Sequence, residues 1–242
     1  MKHLVAAIQF ITVIPLGYQG RFEPVKMIPY FPVVGLLLGF LTAVFDRLAR
    51  HFWTDPVVAV LDVLLLILLT GAFHLDGLGD TADGLYGRRS PDQMLAIMKD
   101  SRIGVMGLVA IVCVLAVKWS GIATLESDRS LLLLIIPAYA RSSILFAIHY
   151  LPYARPEGGT GRDFFARPTD RGVFRMLLLP LGLSLFLGTR AILLNLAFIA
   201  LVAVILFYYK RKLNAVTGDM LGAMTEMTEA GLFLLLAAKG VT

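Results

Sequence analysis

The sequence predicts an all-α helical bundle embedded in a lipid bilayer, and three observations predict it. Apolar runs of about 20 residues, the length a helix needs to cross the hydrocarbon core, recur from one end of the 242-residue chain to the other. No long polar block separates them, so one integral domain, residues 1–242, is expected. The composition is that of a chain in lipid: 58% apolar and only 16% charged, with a mean hydropathy of +0.79. About six to eight membrane helices are expected. The single cysteine, Cys113, lies inside an apolar run, which excludes disulfides and Cys-based metal sites. The formal charge of +5 is spread over short loops, which suits anionic lipid or substrate phosphates and speaks against nucleic acid.

Taken in order, residues 4–17 are apolar but short and end at Pro15-Leu16-Gly17, so they are expected to lie at the interface or re-enter. Met1-Lys2-His3 resembles the start of a signal sequence, but no small-residue cleavage site follows, and the segment is expected to stay in the mature protein. Residues 30–48 form the first span. Asp55-Pro56 reads as a helix start with proline in its first turn, and 56–74 is the second span, delivering His74 and Asp76 at its far end. In the polar segment 84–102, Ser90-Pro91-Asp92-Gln93 has the pattern of a capping box, opening a short amphipathic helix through Met94, Leu95, Ile97 and Met98. Spans at 103–124 and 131–151 follow. A loop at 152–175 carries Arg155, Arg162, Arg167, Arg171 and Arg175. Apolar runs at 176–188 and 191–209 meet at Gly188-Thr189-Arg190, and a last run covers 217–238.

Alternation of these spans puts fourteen loop Lys and Arg residues on the side of the Asp-rich stretch and five, Lys239 among them, on the other. The positive-inside bias therefore predicts a cytoplasmic site on a cell membrane, in bacteria the inner one.

The chemistry concentrates in His74-Leu75-Asp76-Gly77-Leu78-Gly79-Asp80-Thr81-Ala82-Asp83-Gly84. As a helix continuing from the second span, this stretch places Asp76, Asp80 and Asp83 at i, i+4 and i+7, on one face. Three carboxylates stacked there repel one another unless a cation sits between them, and a hard divalent ion with oxygen ligands is the simplest one. Magnesium suits best, since it is commonly held by a few carboxylates together with substrate phosphates. Gly77 and Gly84 would let a diphosphate approach the backbone, and His74 would orient a carboxylate or act as a base. Gly77-Leu78-Gly79-Asp80-Thr81-Ala82 also satisfies a dinucleotide-binding pattern, but no strand precedes it and an Asp in the turn would repel phosphate.

Lys99-Asp100-Ser101-Arg102 supplies cations that can neutralise phosphate charge, with snorkelling at the membrane edge as the alternative. Asp219 lies at the start of the last run, with Glu226 and Glu229 deeper in it; Arg141, inside the 131–151 span, is a natural partner for one of these acids. Carboxylates for a divalent ion, basic residues for phosphate and a membrane-edge location together point to phosphoryl transfer on an amphiphilic substrate.

At these motifs the chain resembles the cobalamin synthase family of membrane enzymes. The likeness rests on Ile8-Gln9-Phe10 with Ile14-Pro15, Tyr30-Phe31-Pro32 with Gly35, His74-Leu75-Asp76-Gly77, Asp80, Asp83-Gly84, the run from Ile97 to Gly104 with Gly107, and Thr217-Gly218-Asp219 with Leu221-Gly222-Ala223 and Glu226. Gly79 departs from the alanine expected there. The resemblance implies magnesium-dependent transfer of adenosylcobinamide phosphate from adenosylcobinamide-GDP to α-ribazole or α-ribazole 5'-phosphate, releasing GMP. Other corrinoid-assembly enzymes or a second copy of the chain are expected as further partners, with no nucleic acid, as the spread of basic residues already indicates. The Asp-rich motif is similar in style to that of CDP-alcohol phosphotransferases, although Asp80 and Thr81 stand where their pattern has Ala and Arg.

The expected roles are then Asp76, Asp80, Asp83 and Asp219 for the metal, and Lys99, Arg102, Gly77, Gly84, Arg141 and Gly218 for substrate. Asp83, Asp100, Lys99, Arg102 and His74 are the expected catalytic groups, with Asp100 or one of the Asp triplet as base. Two rival readings are an ion- or proton-coupled transporter using the intramembrane carboxylates, and a non-catalytic scaffold for corrinoid enzymes.

Overall fold

The computed structural model describes residues 2–17, 20–155, 157–159 and 161–238. Met1 and Lys239 of the sequence reading lie outside the described residues. The described chain is helical: α1 (Lys2–Ile11), α2 (Pro24–Met27), α3 (Phe31–Ala49), α4 (Asp55–Thr70), α5 (Phe73–Leu85), α6 (Pro91–Ile97), α7 (Val105–Ala123), α8 (Arg129–Tyr150), α9 (Leu178–Ser184), α10 (Arg190–Lys212) and α11 (Gly218–Leu236). Extended pairing among the described residues is limited to one parallel bridge between Tyr153 and Val216.

Four helical stretches are long and apolar enough to cross a membrane: Pro24–Ala49, running from α2 through a 3₁₀ turn into α3, and α7, α8 and α10. The α4–α5 pair makes a fifth if its two arms count as one span. α11 has 19 residues, the length of α7, but carries three acids. Apolar residues stand exposed along α7 (Leu108, Val112) and α10 (Leu196, Ile199, Phe207), as lipid-facing helices require. α8 is buried along nearly its whole length and forms the centre. Its polar Ser142 and Ser143 donate back to the carbonyls of Ala138 and Ala140. α3 lies directly on it because Gly35 and Gly39 face the backbone of Leu133–Leu134 and Pro137–Ala138, where any Cβ would collide. Small residues of this kind are what allow close helix contact in lipid.

Two expectations are corrected. The second span does not run on into the Asp-rich stretch. α4 stops at Thr70, where Gly71 (φ 59°) and Ala72 (φ 58°) are both left-handed, and α5 leaves at 91° to α4. Gly71 is the helix-terminating residue and favours that conformation; Ala72 completes the reversal, so His74 begins a new helix. The run at 176–188 is not a regular span either. A 3₁₀ stretch, Arg171–Leu177, leads into the seven-residue α9 and a further 3₁₀ turn ending before Gly188 (φ 60°). Pro180, which lacks an N–H, sits within it. The capping box at Ser90 forms as read: its hydroxyl accepts from the Gln93 N–H, and the Gln93 side chain accepts from the Ser90 N–H at 3.1 Å.

The helix ends sort into two groups. Lys212 at the end of α10 donates to the carbonyls of Leu85 and Gly87 after α5. Val216 just before α11 donates to Pro152 just after α8 at 2.9 Å. The Asp-rich helix, the loop after α8 and the start of α11 therefore meet at one end of the bundle.

Candidate active site

The site is built where α5 crosses α11. A Cβ on Gly77 would lie 2.6 Å from the Asp219 carbonyl oxygen, and one on Gly222 would lie 3.2 Å from the His74 backbone, so glycine on each helix permits the crossing. Gly77 thus permits the helix contact. Gly84 does likewise, with a would-be Cβ 2.5 Å from the Met98 side chain just past α6. Gly218 faces Gly161 of the loop. α11 is started by Thr217, whose hydroxyl accepts from the Met220 N–H at 3.2 Å, which fixes Asp219 in the first turn.

All three aspartates of the motif lie on α5. Asp76 is exposed and Asp80 half-buried. Asp80 stands within electrostatic reach of Asp76, Asp83 and Asp219 and of Arg155. Asp83 differs from the expectation of a free ligand. Its two oxygens accept the backbone N–H groups of Gly104 (2.6 Å) and Gly107 (2.9 Å), capping the otherwise unpaired first turn of α7. Asp219 is bound by Arg155 Nη1 at 3.0 Å and by the Thr217 hydroxyl at 3.3 Å. Among the described residues no three Asp, Glu, His or Cys side chains converge tightly enough to hold a metal by themselves. The donors Asp76, Asp80 and Asp219 are oxygen ligands only. They suit a magnesium ion that keeps water and takes its remaining ligands from substrate phosphate, rather than one caged by protein alone.

Arg155 is one of five arginines in the loop after α8, and nothing in the sequence distinguishes it from the other four. It reaches Asp219 because Ala154 donates to Val216 at 2.9 Å and pins the loop to the entry of α11. Such pairing of two irregular segments leaves no periodic signal in a sequence.

Lys99, Asp100 and Arg102 follow α6 but part company. Lys99 lines a cavity of about 660 Å³ between α6 and residues 154–159, which Arg155 also lines. Arg102 borders a separate cavity of about 350 Å³ beside Asp83 and Gly104. There it is exposed and paired with Asp100, Nη2 to Oδ2 at 2.6 Å. The Arg102 hydrogen bonds hold the Asp100 carboxyl down at about 2, which makes Asp100 a weak proton acceptor.

His74 does not share the acid face: two residues before Asp76, it is about 200° away around the helix. It is 1% exposed, neither ring nitrogen has a hydrogen-bond partner, and it lines an aromatic cavity with Phe10, Phe31, Phe73 and Phe164. Arg141 does not reach the site end as a substrate ligand. It is 1% exposed and pairs with Glu229, which also takes Lys118 at 2.8 Å; Lys118 in turn meets Glu226 at 2.5 Å. The intramembrane acids are thus neutralised in a closed four-residue network.

The family model described as cobalamin-5-phosphate synthase matches residues 3–237. The chain is similar to an adenosylcobinamide-GDP ribazoletransferase of Synechococcus sp., with 39% identity over 94% of this chain and 92% of the relative. It is also similar to proteins of that name from Alkaliphilus metalliredigens (36%, covering 97% and 94%) and Clostridium novyi (33%, covering 99% and 98%). No solved structure matches. Related end to end to these enzymes and matched along almost its whole length, the chain belongs to the cobalamin-5-phosphate synthase family.

Proposed function

We propose that the chain is a magnesium-dependent phosphotransferase that joins adenosylcobinamide-GDP to α-ribazole or its 5'-phosphate, giving adenosylcobalamin or its phosphate and GMP. The observation that carries this reading is the meeting of Asp76, Asp80 and Asp219 with Arg155 at one end of a membrane bundle. A hydroxyl oxygen of the ribazole forms the new bond to the cobinamide-side phosphorus. The P–O bond to GMP breaks, and the hydroxyl proton passes to a carboxylate. Asp76 and Asp80 on α5 and Asp219 on α11 would hold magnesium, which when bound supplies positive charge to the diphosphate oxygens. Of the acids, Asp80 serves better than Asp100 as the proton acceptor, since Asp100 is tied to Arg102. Asp83, fixed by the first turn of α7, keeps α5 and α7 in register beside the metal-binding acids.

The same end of the bundle holds the loop arginines and Lys210-Arg211-Lys212, so the charge bias favours a site facing the cytoplasm from a cell membrane. The transporter reading loses its support, because Glu226 and Glu229 are locked to Lys118 and Arg141 rather than open to a path. The test is the detergent-purified chain with adenosylcobinamide-GDP, α-ribazole and magnesium. Equimolar cobalamin and GMP, abolished by a chelator and restored by magnesium, are expected. GMP release that ignores the chelator would sink the metal assignment, and absence of cobalamin would sink the reaction.

A further inference from the structure

We infer that the groove between α6 and residues 154–159 is the seat of the guanosine-diphosphate half of the substrate, with Arg155 gripping its phosphates and Lys99 flanking them. The inference rests on the proposed reaction for the identity of the nucleotide, but its geometry stands alone. Arg155 uses Nη1 on Asp219, while Nε and Nη2 are buried and have no hydrogen-bond partner. Those two atoms form the side-on fork of the guanidinium, whose parallel N–H bonds match two oxygens of one phosphate. A buried fork left without acceptors costs free energy. The backbone of its loop is clamped to the entry of α11 by Ala154 to Val216 and Val216 to Pro152, both 2.9 Å, but the side chain is not, so a small turn toward the groove that Arg155 lines presents the fork to a phosphate.

The cavity that Arg155 lines has the size of a small-molecule site, about 660 Å³. Its second cation, Lys99, comes from the opposite wall, so a diphosphate between them would be held from both sides. Arg155 also acts on Asp80. A phosphate on the fork therefore lies next to the carboxylates proposed for magnesium, where the bond to GMP must break. Glu157 and Asp92 line the same groove, and a carboxylate there offers the acceptors that the paired N–H groups of a guanine edge require.

The experiment is equilibrium binding of GDP with magnesium to the full-length chain in detergent, with no corrinoid present. Wild type, Arg155→Ala, Arg155→Lys and Arg162→Ala are compared, with inorganic pyrophosphate and phosphatidylglycerol micelles as competitors. Arg155→Ala is expected to weaken GDP at least about tenfold. Arg155→Lys should recover little of that, because an ammonium lacks the fork. Arg162→Ala should bind as wild type, and pyrophosphate should compete. If Arg155→Ala misfolds, the charge-preserving lysine variant carries the test. Wild-type GDP affinity in a folded Arg155→Lys or Arg155→Ala protein overturns the inference, as does displacement of GDP by the anionic lipid but not by pyrophosphate. These failures leave the proposed reaction intact if wild type still makes cobalamin. A wild type that makes none yet binds GDP through Arg155 sinks the reaction and keeps the site.

Discussion

The interior of the bundle and its α5–α11 end both collect charge, and they treat it in opposite ways. Inside, Lys118 and Arg141 answer Glu226 and Glu229, while toward the other end of the bundle Arg129 is bound by Asp46 at 2.6 Å and by Asp62 at 3.4 Å. Glu226 and Glu229 are matched by two cations on neighbouring helices, and Asp46 and Asp62 share Arg129, which is how charge survives in a low-dielectric interior. At the α5–α11 end, Arg155 is bound to Asp219 and acts on Asp80, while Asp76 stands exposed beside them. The four-residue network of Lys118 and Arg141 with Glu226 and Glu229 is complete without any ligand, whereas the acids of the α5–α11 end are the ones placed to gain from a bound cation and phosphate. Access to water goes with that difference, since Asp76 is exposed and Asp80 half-buried while Glu226 and Glu229 are buried.

That contrast is broken most severely by removing one of the acids of the α5–α11 end. Asp80→Asn and Asp219→Asn are each expected to lower cobalamin formation about a thousandfold, the scale of a lost electrostatic contact to the reacting group. Asp80→Asn should leave the melting temperature unchanged or raised, because it relieves repulsion. A large loss of stability in Asp80→Asn would show that the acid is structural. The interior should respond the other way. Arg141→Met leaves Glu229 short of one of its two cations, and destabilisation of about 3–5 kcal/mol is expected in thermal unfolding, while turnover per folded molecule stays near wild type. Loss of turnover with stability intact would return Arg141 to the substrate site. Between these extremes lies Asp83→Ala. It removes the acceptor for Gly104 and Gly107, so about 1–2 kcal/mol of stability should be lost. Slower hydrogen exchange at the start of α7 in wild type than in the variant would check it.

The sequence made the helices legible where a single period governs them. α7, α8, α10 and α11 fall within a few residues of the apolar runs that predicted them, and the i, i+4, i+7 spacing put the three aspartates on one helix. It hid what depends on single backbone angles or on meetings between distant segments. Nothing in the apolar pattern announces that Gly71 and Ala72 both turn left-handed, so α5 was read as the end of a span and His74 as a neighbour of the acids. Asp83 looked equivalent to Asp80 because spacing reports a shared face, not the approach of α7 to that face. Arg155 was one arginine among five until the pairing of 152–154 with Val216 carried it to Asp219. Arg141 was recognisable as a partner for a helix acid, but whether it also met substrate depended on the depth at which α8 and α11 pair.

The smallest expected effect tests whether α6 is a fixed wall of the active-site end or a loosely attached surface helix. Its seven residues are too few to be helical in isolation, and only Met94 among them is fully buried, so the capping box supplies a large part of what holds the helix together. Ser90→Ala removes the side-chain acceptor for the Gln93 N–H and should cost about 1 kcal/mol, while Ser90→Asp, which keeps an acceptor and places negative charge at the helix start, should cost less. Because Lys99 lies just beyond α6, fraying of α6 in Ser90→Ala should reach activity through substrate affinity: a rise in KM of a few fold with kcat held, reversed in Ser90→Asp. An equal fall in kcat for both variants would instead mean that Ser90 itself acts near the reacting groups, and the division between a charged site and its helical supports would have to be redrawn to include this cap.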